Sequence, residues 1–74
     1  MPEFVQRLKA IETIRAEMEK ERSESIVRRL ATKLAAEVDA LNGALLREEQ
    51  FNHASLHMAP IDVDAEVRRV RARR

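Results

Sequence analysis

Two apolar stripes lie on different faces of what would otherwise be one helix, and this mismatch constrains the fold more than any other feature of the chain. Phe4, Leu8, Ile11, Ile14 and Met18 recur at steps of three and four, the spacing that lines one side of a helix. Val27, Leu30, Leu34, Val38, Leu41 and Leu45 do the same further on, flanked by Ile26 and Ala31. At about 100° per residue, the first stripe centres near roughly 20° and the second near roughly 160° on a common wheel. A straight helix would therefore switch faces by about 140° between Met18 and Val27, and a heptad frame does not remove the jump. Either the chain breaks near Arg22–Ser25 and folds into a helical hairpin, or one long coiled-coil-like helix meets different partners along its two halves. Ser23 is suited to cap a new helix, and Glu24 beside it suits the positive helix end. No Gly or Pro is present there to enforce the break.

Helix is expected throughout. The 74 residues contain one glycine, Gly43, two prolines, Pro2 and Pro60, and two aromatics, Phe4 and Phe51, while 36% are charged. Strands would need more turn residues and more β-branched or aromatic positions. The spacing predicts a first helix over 3–22 and a second over 24–46, with Glu3–Arg7, Glu12–Arg15 and Arg15–Glu19 at helical offsets that favour ion pairing. Asn42-Gly43 reads either as a helix C-cap or as a glycine tolerated inside a helix. Leu56 returns to the phase of the stripe, which favours continuation into the fifties. Pro60 then ends the helix, and Asp62 is placed to cap a short basic third segment in which Val63, Val67 and Val70 share a face. The expected organisation is a helical oligomerisation or adaptor domain over 1–59 and a basic C-terminal segment over 60–74.

A chain of this length buries little surface and usually needs a staple; with no cysteine, disulfides are excluded. Two helices alone leave part of the leucine-rich stripes uncovered, and an uncovered stripe on a small helical protein marks association. The all-α chain is accordingly expected to oligomerise into a helical bundle, a dimer of hairpins being favoured, or to bind another helical protein. Ile11, Ile14, Met18, Leu30, Leu34, Val38, Leu41 and Leu45 are the expected interface.

Little points to chemistry. His53 and His57 stand four apart with Glu49 one turn earlier, a weak candidate for a metal site, although no Glu follows His53 as a zinc-protease helix requires. The hydroxyls of Thr13, Ser23, Ser25, Thr32 and Ser55 lack a glycine-rich elbow, and one glycine cannot make a backbone cradle for phosphate or an oxyanion. No enzyme activity, cofactor or small-molecule substrate is expected. No apolar run approaches the roughly 18 residues of a membrane span, and Met1–Phe4 does not open a signal peptide; a cytoplasmic location is the default.

Charge is unevenly placed. Residues 1–67 carry nine bases against thirteen acids, a net of −4, whereas the last seven residues hold Arg68, Arg69, Arg71, Arg73 and Arg74 and no acid. These arginines could engage an acidic protein surface or anionic lipid, or neutralise phosphates, the last of which makes a small nucleic-acid-binding or nucleoid-associated protein the alternative to the interaction module. Acids at Asp62, Asp64 and Glu66 with arginines at the far end also simply match a helix dipole. With few apolar residues and a proline before it, the segment is expected to lie peripheral to the fold; otherwise Val63, Val67 and Val70 belong to a third packed helix.

Overall fold

The computed structural model describes residues 3–47 and 57–73. They form three helices and, among the described residues, no strand: α1 Glu3–Lys20, α2 Glu24–Arg47 and α3 Val63–Ala72. The backbone leaves helical geometry at residues 21–23, inside the interval where the stripe changes face. Ser23 accepts the first bond of α2 through its carbonyl, from the Val27 N–H at 2.9 Å, while its hydroxyl sits 3.1 Å from that of Ser25. The side chain that organises this turn is Glu21. Its carboxylate accepts the backbone N–H groups of Arg22 and Ser23 at 3.0 and 3.1 Å, donors that no helix satisfies.

α1 and α2 pack side by side in opposite directions. Arg7 reaches Glu37 at 3.1 Å, and Glu3 at the start of α1 meets Arg47 at the end of α2 at 2.8 Å. Between them the buried positions on α2 step by four and three along Val27, Ala31, Leu34, Val38, Leu41 and Leu45, with Leu30 and Ala44 beside them. Such spacing keeps one seam turned inward for the whole helix. From α1 the seam receives Ile11 and Met18, with Phe4, Leu8 and Ile14 partly buried against it.

α3 covers the part of that seam that α1 leaves open. Asp64 pairs with Arg28, and Arg71 pairs with Glu24, so α3 descends against the direction of α2. Val67 and Val70 are each 2% exposed and belong to the same core as Leu34 and Met18. The expectation of a peripheral C-terminal segment is thereby corrected: the valines are core, and the arginines around them are the solvated face of a third packed helix. Two valines in a stretch crowded with arginine looked too few to hold a helix, but they close over a seam that is already built.

The start of α3 is fixed from both sides. Asp62 is its N-cap, accepting the Ala65 N–H at 3.2 Å. Before it, Asn42 clips the incoming chain: its side-chain amide donates to the Met58 carbonyl at 2.8 Å and accepts the Met58 N–H at 3.0 Å. Asn42-Gly43 is therefore no helix end. The helix runs through it to Arg47, and the expected continuation into the fifties lies outside the described residues. The principal extents of 42 × 21 × 16 Å are those of a two-helix rod with a shorter helix laid along it.

Nothing among the described residues crowds Gly43. Among them, a Cβ built there would meet only the Arg47 guanidinium, at an ordinary 3.7 Å. Gly43→Ala should therefore stabilise the fold by about 1 kcal/mol through helix propensity, raising the midpoint of a thermal melt followed by circular dichroism by roughly 4–8 °C. A lowered midpoint would show that the glycine serves a contact. Val70→Asp should act oppositely, with a loss limited to what holds α3 in place, because α3 can undock to keep the carboxylate wet. The expected signature is loss of amide-exchange protection in α3 while α2 stays protected.

Candidate functional site

Charge is concentrated where α3 seats on the other two helices. The groove floor is apolar, made by Met18 of α1 and by Val27, Leu30, Ala31 and Leu34 of α2, all buried. Its rim is acidic on both sides at the turn end, with Glu19 contributed by α1 and Glu24 by α2. Glu19 takes two arginines of α3 at once, Arg69 at 2.9 Å and Arg73 at 2.8 Å, and Glu24 takes Arg71. Higher up the polarity reverses. There Arg15 of α1 holds Glu66 at 3.4 Å, and Arg28 of α2 holds Asp64 at 2.5 Å. The acid-to-base gradient of α3, which suits its own dipole, is matched by a base-to-acid gradient along the groove.

This arrangement explains the fate of the helical pairs expected within α1. Glu3 and Arg7 do pair, at 3.5 Å. Arg15 and Glu19 instead reach across to α3, where Arg69 also braces Glu66 at 2.9 Å on its own helix. Proximity of these guanidinium groups lowers the carboxyl pKa values: Arg69 and then Arg73 do so for Glu19, and Arg28 for Asp64. Hydrogen bonding to Arg47 lowers that of Glu3 in the same way at the other end of the molecule. The shifts on Arg7 and Arg69 are upward, caused chiefly by their bonds to Glu37 and Glu19.

The hold on α3 is of two kinds. Burial of Val67 and Val70 contributes on the order of 1.5–3 kcal/mol each. The ion pairs range from open, with side-chain exposures of 52% and 65% for Arg28 and Asp64, to partly buried, with 33% and 14% for Arg69 and Glu66; the open ones add little and are screened by salt. Packing is also incomplete. A cleft of about 160 Å³ remains between the end of α3 and the start of α2, bounded by Arg22, Glu24, Val27, Val67, Val70 and Arg71.

Each residue singled out from the sequence can now be placed. Ile11, Met18, Leu30, Leu34, Val38, Leu41 and Leu45 are buried, and Ile14 is partly buried, inside a single chain. An interface using them requires the chain to open. Among the arginines, Arg69, Arg71 and Arg73 are engaged by carboxylates, Arg68 is exposed beside Asp64, and Arg74 lies outside the described residues. The candidate metal set falls largely outside them too: of Glu49, His53 and His57, only His57 is described, and it is exposed. No cluster of metal-ligating side chains occurs among the described residues. Thr13 and Thr32 donate to the carbonyls of Lys9 and Arg28 one turn back, both at 3.0 Å, while Ser55 is not described. No helix among the described residues is long and apolar enough to cross a membrane.

No protein-family model, curated protein or solved structure matches the chain. Glu19, Glu24 and Asn42 are the contributors that periodicity did not single out for a site; the signal that bears on two of them is the excess of acid in the body opposite an all-basic terminus.

Glu19→Gln should loosen α3 selectively, since one substitution weakens its links to both Arg69 and Arg73. Amide exchange in α3 should quicken several-fold while that of α2 around Leu34 barely changes. Acid should do the same. Carboxyls whose folded pKa is lowered contribute stability that is present above their unfolded values and lost as pH falls through the folded ones. Melts of the wild type should accordingly drop as pH falls below about 4.5, the ordinary value for Glu19, and Glu19→Gln should flatten part of that fall. Equal pH dependence in the two proteins would show that Glu19 has no role in seating α3.

Proposed function

We propose that the chain is a non-catalytic helical protein–protein interaction module, an oligomerisation or adaptor unit that works by recognising helices. The observation that carries this reading is the groove: an apolar floor between charged rims whose polarity runs in register with a short amphipathic helix. Helix-in-groove recognition needs those two elements, anchors at helical spacing and a charge pattern that sets direction. A second copy of the chain is the favoured partner, in a bundle built from the two long helices as hairpins, and a cytoplasmic setting is the default. Apolar surface open to solvent is available at both ends of α2, where Ile26 is 38% and Leu46 63% exposed.

Nucleic-acid binding through Arg68, Arg69, Arg71, Arg73 and Arg74 is the second reading. It is favoured by the solvent exposure of Arg71 and Arg73, 63% and 60%, and opposed by their carboxylate partners, which phosphate would have to displace. A positive result would be binding with a steep salt dependence, because each phosphate neutralised by an arginine releases condensed counterions.

Light scattering separates these readings. At micromolar concentration the module should have at least twice the 8.5 kDa mass of one chain, with predominantly helical circular dichroism. A folded single chain at every concentration would remove self-association from the proposal. A mobility shift on duplex DNA or RNA at low salt that vanishes at high salt would transfer the assignment to the second reading.

A further inference from the structure

We propose that Met58 is a peroxide-sensitive latch: oxidation of its thioether to a sulfoxide frees the segment that leads into α3 and loosens the seat of that helix. This goes beyond the interaction-module reading and does not depend on it, because it concerns how the chain holds its own last helix. Sulfur in this chain is confined to thioethers. There is no cysteine, and the methionines are Met1, Met18 and Met58. The fold treats Met18 and Met58 differently. Met18 is 0% exposed, in the groove floor beneath α3. Met58 is half-buried: its side chain packs against the core without being closed over. A small oxidant dissolved in water therefore reaches Met58 in the folded chain, whereas it reaches Met18 only when the chain opens.

Met58 also stands where little else holds the chain. Asn42 clips its backbone, donating to the carbonyl at 2.8 Å and accepting the N–H at 3.0 Å, and Asp62 caps α3 just beyond. Ala59 and Pro60 between them are exposed, so Met58 and Ile61 supply the apolar contact of this approach. Fixing the chain at Met58 keeps α3 beside its groove and makes docking a local event rather than the closing of a longer loop. The helix needs that help. It has ten residues and fully buries only Val67 and Val70, too little length to persist in water unless it is packed.

Hydrogen peroxide represents the class of oxidant. A sulfur lone pair attacks one peroxide oxygen, the S–O bond forms as the O–O bond breaks, and the other oxygen leaves as water with both protons. The apolar thioether becomes a polar sulfoxide. Against the core such a group lacks the hydrogen bonds that water gives it, so the side chain turns outward. The residue that anchored the segment then draws it away, and the two Asn42 bonds are left to hold it. Methionine sulfoxide reductases return the thioether, oxidising a thiol pair to a disulfide and releasing water, so the latch can close again.

Mild peroxide treatment of the folded full chain tests the latch, with oxidised sites located by mass spectrometry of peptides and the helices followed by amide exchange. Met58 should gain an oxygen several-fold faster than Met18. Amides of α3 should then exchange several-fold faster, while those of α2 around Leu34 stay protected. Adding the reductases for both sulfoxide epimers should restore protection of α3. Met58→Leu keeps an apolar side chain of similar size and should keep α3 protected before and after peroxide. Equal oxidation of Met18 and Met58 would overturn the proposal, as would an oxidised Met58 with α3 exchange unchanged. Loss of α3 protection in peroxide-treated Met58→Leu would also overturn it, since the sensitive site would then lie elsewhere.

Discussion

The buried seam of α2 is the constraint from which the rest of the structure follows. Val27, Ala31, Leu34, Val38, Leu41 and Leu45 present one continuous apolar line along a 24-residue helix, roughly 36 Å long. Among the described elements, no single neighbour covers it. α1 takes one flank, and α3, about 15 Å long, closes the other near the turn. Each of the other features serves that arrangement. The turn at 21–23 returns α1 onto the seam, the Asn42 clip brings the chain back to its open flank, and the Asp62 cap starts the last helix there.

Why the pieces come in this order is a matter of side-chain strength. Leucine, isoleucine and methionine hold α1 to α2, whereas α3 brings valines. Electrostatics then supply what the valines lack in selectivity. Ion pairs between exposed groups are weak sources of stability, but they discriminate well, because like charges brought together in the wrong register are unfavourable. The reversal of charge along the groove means that α3 fits in one direction only. Stability and orientation are thus carried by different residues, and the orienting residues can be changed without emptying the core.

The all-helical character was legible in the residues because apolar spacing, scarce glycine and absent turn chemistry all agree. The stripe mismatch between Met18 and Val27 marked where a break could fall, near Arg22–Ser25, but left one continuous helix as an alternative, and only the fold decides for the break at 21–23. Asp62 announced its helix through cap chemistry that needs only local sequence. What escaped were contacts between distant residues. Nothing in the neighbourhood of Arg15 or Glu19 tells that their partners lie some fifty positions away on α3. Helical spacing offered them each other as partners, a local solution that the fold declines. Val67 and Val70 were underweighted for a related reason: a valine's value depends on the surface it closes, and that surface is made by Leu34 and Met18. Glu21 and Asn42 act on backbone groups brought near by folding, so their roles carry no periodic signature.

Asn42 has a further consequence, in the chemical durability of the chain. It precedes Gly43, and an asparagine followed by glycine is the arrangement in which the next backbone nitrogen most easily attacks the side-chain amide. Hydrolysis of that amide would leave an acid with no N–H to give, set against the Met58 carbonyl that the amide now serves at 2.8 Å. The clip would become a repulsion, and the segment leading to α3 would lose its anchor. What stands in the way is α2 itself: helical backbone turns the Gly43 nitrogen along the helix axis and away from the side chain beside it. The long helix therefore protects a side chain that helps to place the short one.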